Sequence, residues 1–389
     1  MKHLTTFFRI SALTAIIGCA SADACTSWVI HPGLSASGKM IVHKCRDSHY
    51  SPLNAEMYTF PDGRRYMRIG TVSGWNCFSM NDRGVVAILN AADPVDSRHP
   101  GKDRIGYGGG GFLTYAAVNC SRAEQAVSFI KFCCANDIAL GPQSFFIADP
   151  KRAFLVDVAP GYCVQKELYG GISIISNCMH LPGIEKLSLH RWPSLRYDRR
   201  REANVRRELK KGKVKGKYTI ADTMRISRLK WEKAPEKHLP FRKDSLGATT
   251  FEIDPEFPGF LSTAYIALGP QQHTVYLPTP MALEQFPEPI RDGSFGELAR
   301  ALRKAAGDDH AGLQEIVELE KKLFAEYEQV RERARELLKA KKNDEAVKLL
   351  NDCYRRQFDA AKALLTSLLD AAGKAKKEQS TPTQGGSDK

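Results

Sequence analysis

The feature that most constrains this chain is a cysteine set directly behind an export signal and at the head of an alternating strand pattern. Lys2, His3 and Arg9 lead into a largely apolar run from Ile10 to Gly18, and Ala22-Asp23-Ala24 closes the segment as an A-x-A cleavage site. The run is too short to span a bilayer as a mature helix. A cut after Ala24 makes Cys25 the first residue of the mature chain, with thiol and α-amine on the same residue. A free α-amine has a pKa of about 7.7–8.0 and a free thiol about 8.5, so the amine can take the thiol's proton near neutral pH. Nucleophile and base then come from one residue. A competing site, Ile16-Ile17-Gly18-Cys19, resembles a lipoprotein box and would lipidate Cys19 instead. The expected location is outside the cytoplasm, periplasmic or extracellular, with lipid anchoring in the envelope as the alternative.

Residues 25–31 alternate as a strand, Pro32 to Gly38 supplies turn chemistry, and Lys39 to Arg46 reads as the returning strand. Folding this hairpin about Ser35 sets Cys25 opposite the Cys45–Asp47 end, which makes Lys44, Arg46 and Asp47 neighbours of the thiol. Two strands are expected around the turn Asn81-Asp82-Arg83-Gly84, the second an apolar run from Val85 to Asn90. Helices follow over 112–119 and 121–136, the latter opened by a Ser121/Glu124 capping box. Ser144–Ala148 and Ala153–Val158 form a further hairpin, and Gly171–Ser176 is a buried strand ending at Asn177. Strands resume near 249–253, 264–268 and 274–277. Gly106 to Gly111 formally matches G-x-G-x-x-G, but no convincing strand precedes it, so it reads as a loop beside a pocket. Beyond a Pro- and Gly-rich linker expected at 281–296, segments 313–342 and 344–372 are helical and highly charged, with Gly373 as a stop. They read as an antiparallel hairpin that packs on the main domain or mediates self-association. The tail from 378 to 389 is expected to be disordered.

Charge narrows the partners. The net charge is +13, yet residues 186–243 alone hold 20 Lys and Arg against six Asp and Glu, a balance of +14. The rest of the chain is close to neutral. A basic segment on an exported protein favours anionic small molecules or lipid headgroups, and no nucleic-acid-binding motif accompanies it. No HExxH, CxxC pair, G-x-S-x-G or Walker loop is present, so neither metal nor cofactor is expected. His43, His49 and His180 read as structural or solvent-facing.

Cys25-Thr26 at a mature N-terminus, Lys44-Cys45-Arg46-Asp47-Ser48 ending the second strand, and Ser176-Asn177 after a buried strand resemble the N-terminal-nucleophile cysteine amidohydrolases. The nearest group is the choloylglycine hydrolase, penicillin V acylase and isopenicillin N acyltransferase-like superfamily. The resemblance covers about residues 25–280. It implies an α+β fold, an αββα sandwich of two antiparallel sheets between helices, here with the C-terminal helical hairpin added over 297–377. It implies Cys25 as nucleophile, Asp47 as the carboxylate holding the α-amine, and Asn177 as oxyanion donor. Asn90 falls where the family has a second oxyanion contributor, and Arg196 matches a family arginine near the nucleophile. The family's arginine three positions before the aspartate is Lys44 here, while Arg46 stands next to Asp47, so either could be the cation at the sulfur. The implied activity is hydrolysis of a linear amide through an acyl-enzyme. Acyl transfer, dipeptide cleavage and a non-enzymatic lipoprotein anchored at Cys19 are the alternatives. Membrane association is expected only with a lipidated Cys19.

Overall fold

The computed structural model describes residues 25–48, 51–92, 109–136, 138, 141–159, 161–187, 193–212, 216–230, 238–308 and 312–380. The signal segment, His49 and the first half of the glycine-rich loop therefore lie outside the described residues.

Two antiparallel sheets are stacked. The first runs in the order β10 (Ile172–Ile175), β1 (Cys25–Ile30), β2 (Met40–Asp47), β11 (Ser245–Ile253), β12 (Thr263–Leu268), β13 (Leu277–Pro280). The second is a meander of seven strands in chain order: β3 (Leu53–Thr59), β4 (Arg65–Thr71), β5 (Asn76–Asn81), β6 (Val86–Ala91), β7 (Gln143–Ala148), β8 (Ala153–Ala159) and β9 (Tyr162–Leu168). Period-two alternation decides what each face meets. In β1, Trp28 and Ile30 join Val205, Leu209 and Met224 on the outer side. Val29, Val42 and Phe251 face inward and pack on Met67, Phe78, Ile88 and Phe146 of the second sheet.

Numbering only helices of two turns or more, α1 (Gly109–Asn119) and α2 (Ala123–Ala135) cover the second sheet through Phe112, Leu113, Ala126 and Ile130. Helices α3 (Pro193–Lys211) and α4 (Ile220–Ser227) cover the first. The result is a four-layer αββα sandwich, as the resemblance implied. Helix α2 starts two residues later than its sequence suggested. Gln125 Oε1 accepts from the Ser121 backbone N–H at 2.6 Å, and Glu124 turns away to pair with Arg152. Three strands, β3, β4 and β9, carry no sequence expectation. Gly109 opens α1 close under the Gln143 side chain, whose Oε1 would lie 2.0 Å from a Cβ there.

The C-terminal third departs from its expectation in two ways. Residues 281–296 are no spacer: Met281, Leu283, Phe286, Ile290 and Phe295 belong to the main apolar core, with Phe286 and Phe295 against Tyr354 and Phe358, and α5 (Ser294–Ala306) continues it. Gly373 does not stop the last helix, because α7 runs from Asn343 to Ser380 after α6 (Gly312–Lys339). Its position is open to solvent, so the penalty is the ordinary one of about 1 kcal/mol for glycine within a helix. The α6–α7 hairpin is bound to the first sheet and to the end of α4 by buried charge as well as by apolar contact. Arg228 donates to both oxygens of Glu320 at 2.6 and 2.7 Å, Arg331 pairs with Glu252, and Arg335 reaches Asp254 at 2.6 Å. Arg228 thus takes one charge of the basic segment into the interior. No described helix is long and apolar enough to cross a membrane.

Candidate active site

Cys25 opens β1, and the β1–β2 register pairs it with Arg46. Partners in an antiparallel pair point to the same face. Arg46 Nη1 accordingly lies 3.4 Å from Cys25 Sγ, and the thiol is fully buried. Of the two candidate cations, geometry puts Arg46 at the sulfur. Lys44 is one pleat further in. Its Nζ donates to the Leu89 carbonyl and to Asn90 Oδ1 at 3.2 Å, and it sits 5.5 Å from the centre of the Phe78 ring. Lys44 ties the two sheets together instead of serving the thiol.

Asn90 belongs to that tie. Its Oδ1 accepts from Ser27 Oγ at 2.7 Å, and its Nδ2 donates to the Ser176 carbonyl at 3.1 Å. These bonds commit the side chain to joining β1, β6 and the end of β10, so it reaches the Cys25 region as a support. Asn177 is closer to the chemistry. Its Oδ1 accepts from the Cys25 backbone nitrogen at 2.6 Å, and its Nδ2 donates to the Ala91 carbonyl at 2.8 Å. Both partners are unambiguous, a donor and an acceptor of the main chain, so they fix which way the amide points.

Asp47, the last residue of β2, is buried and accepts from Ser245 Oγ through Oδ1 at 2.6 Å. Its Oδ2 has no hydrogen-bond partner among the described residues. Burial pushes its carboxyl up to about 7, against the pull of Arg242 and with a further push from Asp244. A carboxylate so placed, with one oxygen unpaired, is suited to receive an ammonium.

Arg196 is exposed at the start of α3. The arginine that does reach Cys25 is Arg201, one turn and a half further on. It is buried, donates from Nη1 to the Cys25 carbonyl at 3.4 Å, and pairs with Asp198. Sequence reading missed Arg201, although Arg201, Val205 and Leu209 form the buried stripe of α3 at helical spacing. An arginine in helical register with Val205 and Leu209 was the available signal, although Asp198, Glu202 and Glu208 share the buried side. His43 is interior: it stacks on Trp28 at 3.9 Å and bonds Thr250 Oγ1 at 2.7 Å, and burial lowers its pKa. A surface groove of about 670 Å³ along Asp359–Lys374 of α7 contains none of these residues.

The four-layer sandwich with a buried cysteine leading an inner strand has the layout of the N-terminal-nucleophile hydrolase fold. No protein-family model matches the sequence, and no curated protein does. Among solved structures the chain is similar to penicillin V acylase from Agrobacterium tumefaciens, with a TM-score of 0.42 and 13% identity over 66% of this chain and 86% of that one. It is similar to the Caenorhabditis elegans ortholog of N-acylethanolamine-hydrolyzing acid amidase, with a TM-score of 0.41 and 10% identity over 60% and 95% of the two chains. A variant of the conjugated bile acid hydrolase from Clostridium perfringens gives 0.40 and 10%, over 62% and 89%.

Proposed function

We propose that this chain is an exported amidohydrolase that cleaves a linear C–N amide through an acyl-enzyme on Cys25. The observation that carries the reading is the convergence of Arg46, Asn177 and Arg201 on the three polar atoms of Cys25: sulfur, nitrogen and carbonyl oxygen. In this mechanism cleavage after Ala24 frees the α-amine. The amine takes the thiol proton, the sulfur attacks the amide carbonyl, and Arg46 supplies positive charge beside the sulfur. Asn177 Oδ1 holds the nitrogen in place, and the second N–H of its Nδ2, the one not given to the Ala91 carbonyl, donates to the developing oxyanion, a contribution of about 10²–10³ in rate for one such donor. The resulting ammonium takes the Asp47 carboxylate as its counter-ion and passes its proton to the leaving nitrogen. Water activated by the same amine releases the acid. The exposed arginines at the head of α3, Arg196, Arg199 and Arg200, favour an amide substrate that carries negative charge.

The test is the mass of the mature N-terminus together with the turnover of Cys25→Ala. A chain beginning at Cys25, and an inactive variant that melts as the wild type does, support the reading. A mature chain that begins elsewhere with Cys25 internal, or full turnover in Cys25→Ala, removes it.

A further inference from the structure

Directly after Asn177 the chain gathers a thiol, an imidazole and a carboxylate round one point. Cys178 and His180 stand in the loop that leaves β10, and Glu202 stands on the buried side of α3. Cys178 Sγ lies 3.7 Å from His180 Nε2 and 3.6 Å from Glu202 Oε1, and His180 Nε2 lies 2.7 Å from that same oxygen. All three atoms fall within 4.8 Å of one another. Cys178 is buried, and the side chains of His180 and Glu202 are only 8% and 10% exposed.

This is not a nucleophile–base–carboxylate relay. A relay uses the two ring nitrogens in turn, whereas here one nitrogen faces both thiol and carboxylate. Convergence on a single point is what a cation requires of its ligands. Zinc bonds of about 2.3 Å to sulfur and about 2.0–2.2 Å to nitrogen and oxygen set tetrahedral ligand–ligand edges at about 3.4–3.6 Å. The two edges to Cys178 have nearly that length already. The His180–Glu202 edge is short because a proton occupies it, and a cation in that place would open it by about 0.7 Å.

We propose that Cys178, His180 and Glu202 form a three-ligand site for a zinc-class divalent cation, with a fourth position left for water or a small ligand. Thiolate, imidazole and carboxylate together suit zinc and not the oxygen-seeking magnesium or calcium. Bonds outside the metal position hold the ligands ready. The backbone N–H groups of His180 and Leu181 donate to Asp157 Oδ2 at 2.6 and 2.7 Å, and Arg199 donates to Glu202 Oε2 at 3.2 Å. Loading exchanges the Cys178 proton for the cation and passes the Nε2 proton to His180 Nδ1, a buried atom without a hydrogen-bond partner among the described residues. The site joins the β10 loop to α3, the two segments that bring Asn177 and Arg201 to Cys25. A bound cation braces the Cys25 site without entering it.

The probe is cobalt(II) titrated into the metal-depleted full chain. One equivalent is expected to bind with a thiolate-to-cobalt charge-transfer absorption in the near ultraviolet, displaced by zinc. The absorption persists in Cys25→Ala and is lost in Cys178→Ser, while Glu202→Gln weakens affinity at least tenfold. The proposal is overturned by a native chain that shows no such absorption. An absorption that survives Cys178→Ser, or disappears in Cys25→Ala, overturns it equally. Should Cys178→Ser fail to fold, unchanged affinity in Glu202→Gln has the same force and weakened affinity supports the site.

Discussion

Arg46 and Cys25 face each other across the β1–β2 pair, guanidinium to thiol at 3.4 Å, while Lys44 on the same face points past the sulfur into the second sheet. Two cations of one strand therefore have different jobs, and they separate by measurement.

Arg46→Gln is expected to lower turnover at least tenfold while the melting temperature stays within a few degrees, since Arg46 is half-buried at the edge of the sandwich. Lys44→Met should do the reverse first. It strips a donor from the Leu89 carbonyl and Asn90 Oδ1 in the interior, a loss of about 1–3 kcal/mol in stability. Denaturant melts and kinetics on both variants check the contrast. Equal effects on stability would contradict it.

Asn177→Ala is expected to reduce kcat by about 10²–10³ with little change in KM, because its amide serves the reacting atoms and not the substrate's periphery. Asn90→Ala should act mainly on stability, as its bonds run to Ser27 and the Ser176 carbonyl. Steady-state kinetics of the two variants distinguish these roles.

Asp47 gives a pH dependence of definite sign in the uncleaved chain, where the Cys25 nitrogen is a peptide N–H and carries no charge. Its native carboxyl, raised by burial to about 7, binds its proton more tightly than in the unfolded chain. The stabilising contribution is complete below about pH 4 and is lost as the pH rises through about 7. Asp47→Asn removes the titration, so its melting temperature should gain on that of the wild type between pH 4 and pH 8. A gap that stays constant over that range would count against the assignment.

The hairpin carries a prediction of its own. Glu320→Ala leaves Arg228 buried without its bidentate partner and also strips the acceptor of the Tyr276 N–H, so a cost of about 3–5 kcal/mol is expected. Chemical denaturation of the full chain measures it. A loss below about 1 kcal/mol would show that water or another group replaces the carboxylate.

Substrate charge is accessible through salt. With an anionic amide, KM should rise steeply as ionic strength goes from low to about 0.5 M, where screening acts over a few ångströms. A neutral analogue should show little change. Identical salt profiles for the two would argue against a role for the arginines at the head of α3.

Residue order is enough for whatever short-range rules control. A turn of fixed length dictated the β1–β2 pairing, and Cys25 meets Arg46 because the chain between them can fold back in only a few registers. Helical spacing marked α3 and the C-terminal pair, and the order of strands and helices pointed to two sheets between helices. Tertiary structure alone decided which of these parts meet. Asn177 touches Cys25 across 152 positions and Arg201 across 176, contacts that no local pattern encodes. The three silent strands have seven residues each, and β3 and β9 are the two partly exposed edges of the second sheet, where periodicity had little to register. Turn chemistry is local and makes 281–296 look like a linker, whereas its burial depends on the α5 and α7 surfaces that close over it. The register of a hairpin is fixed by the chain's own stiffness, but the company a side chain keeps at the site is fixed only when distant elements pack.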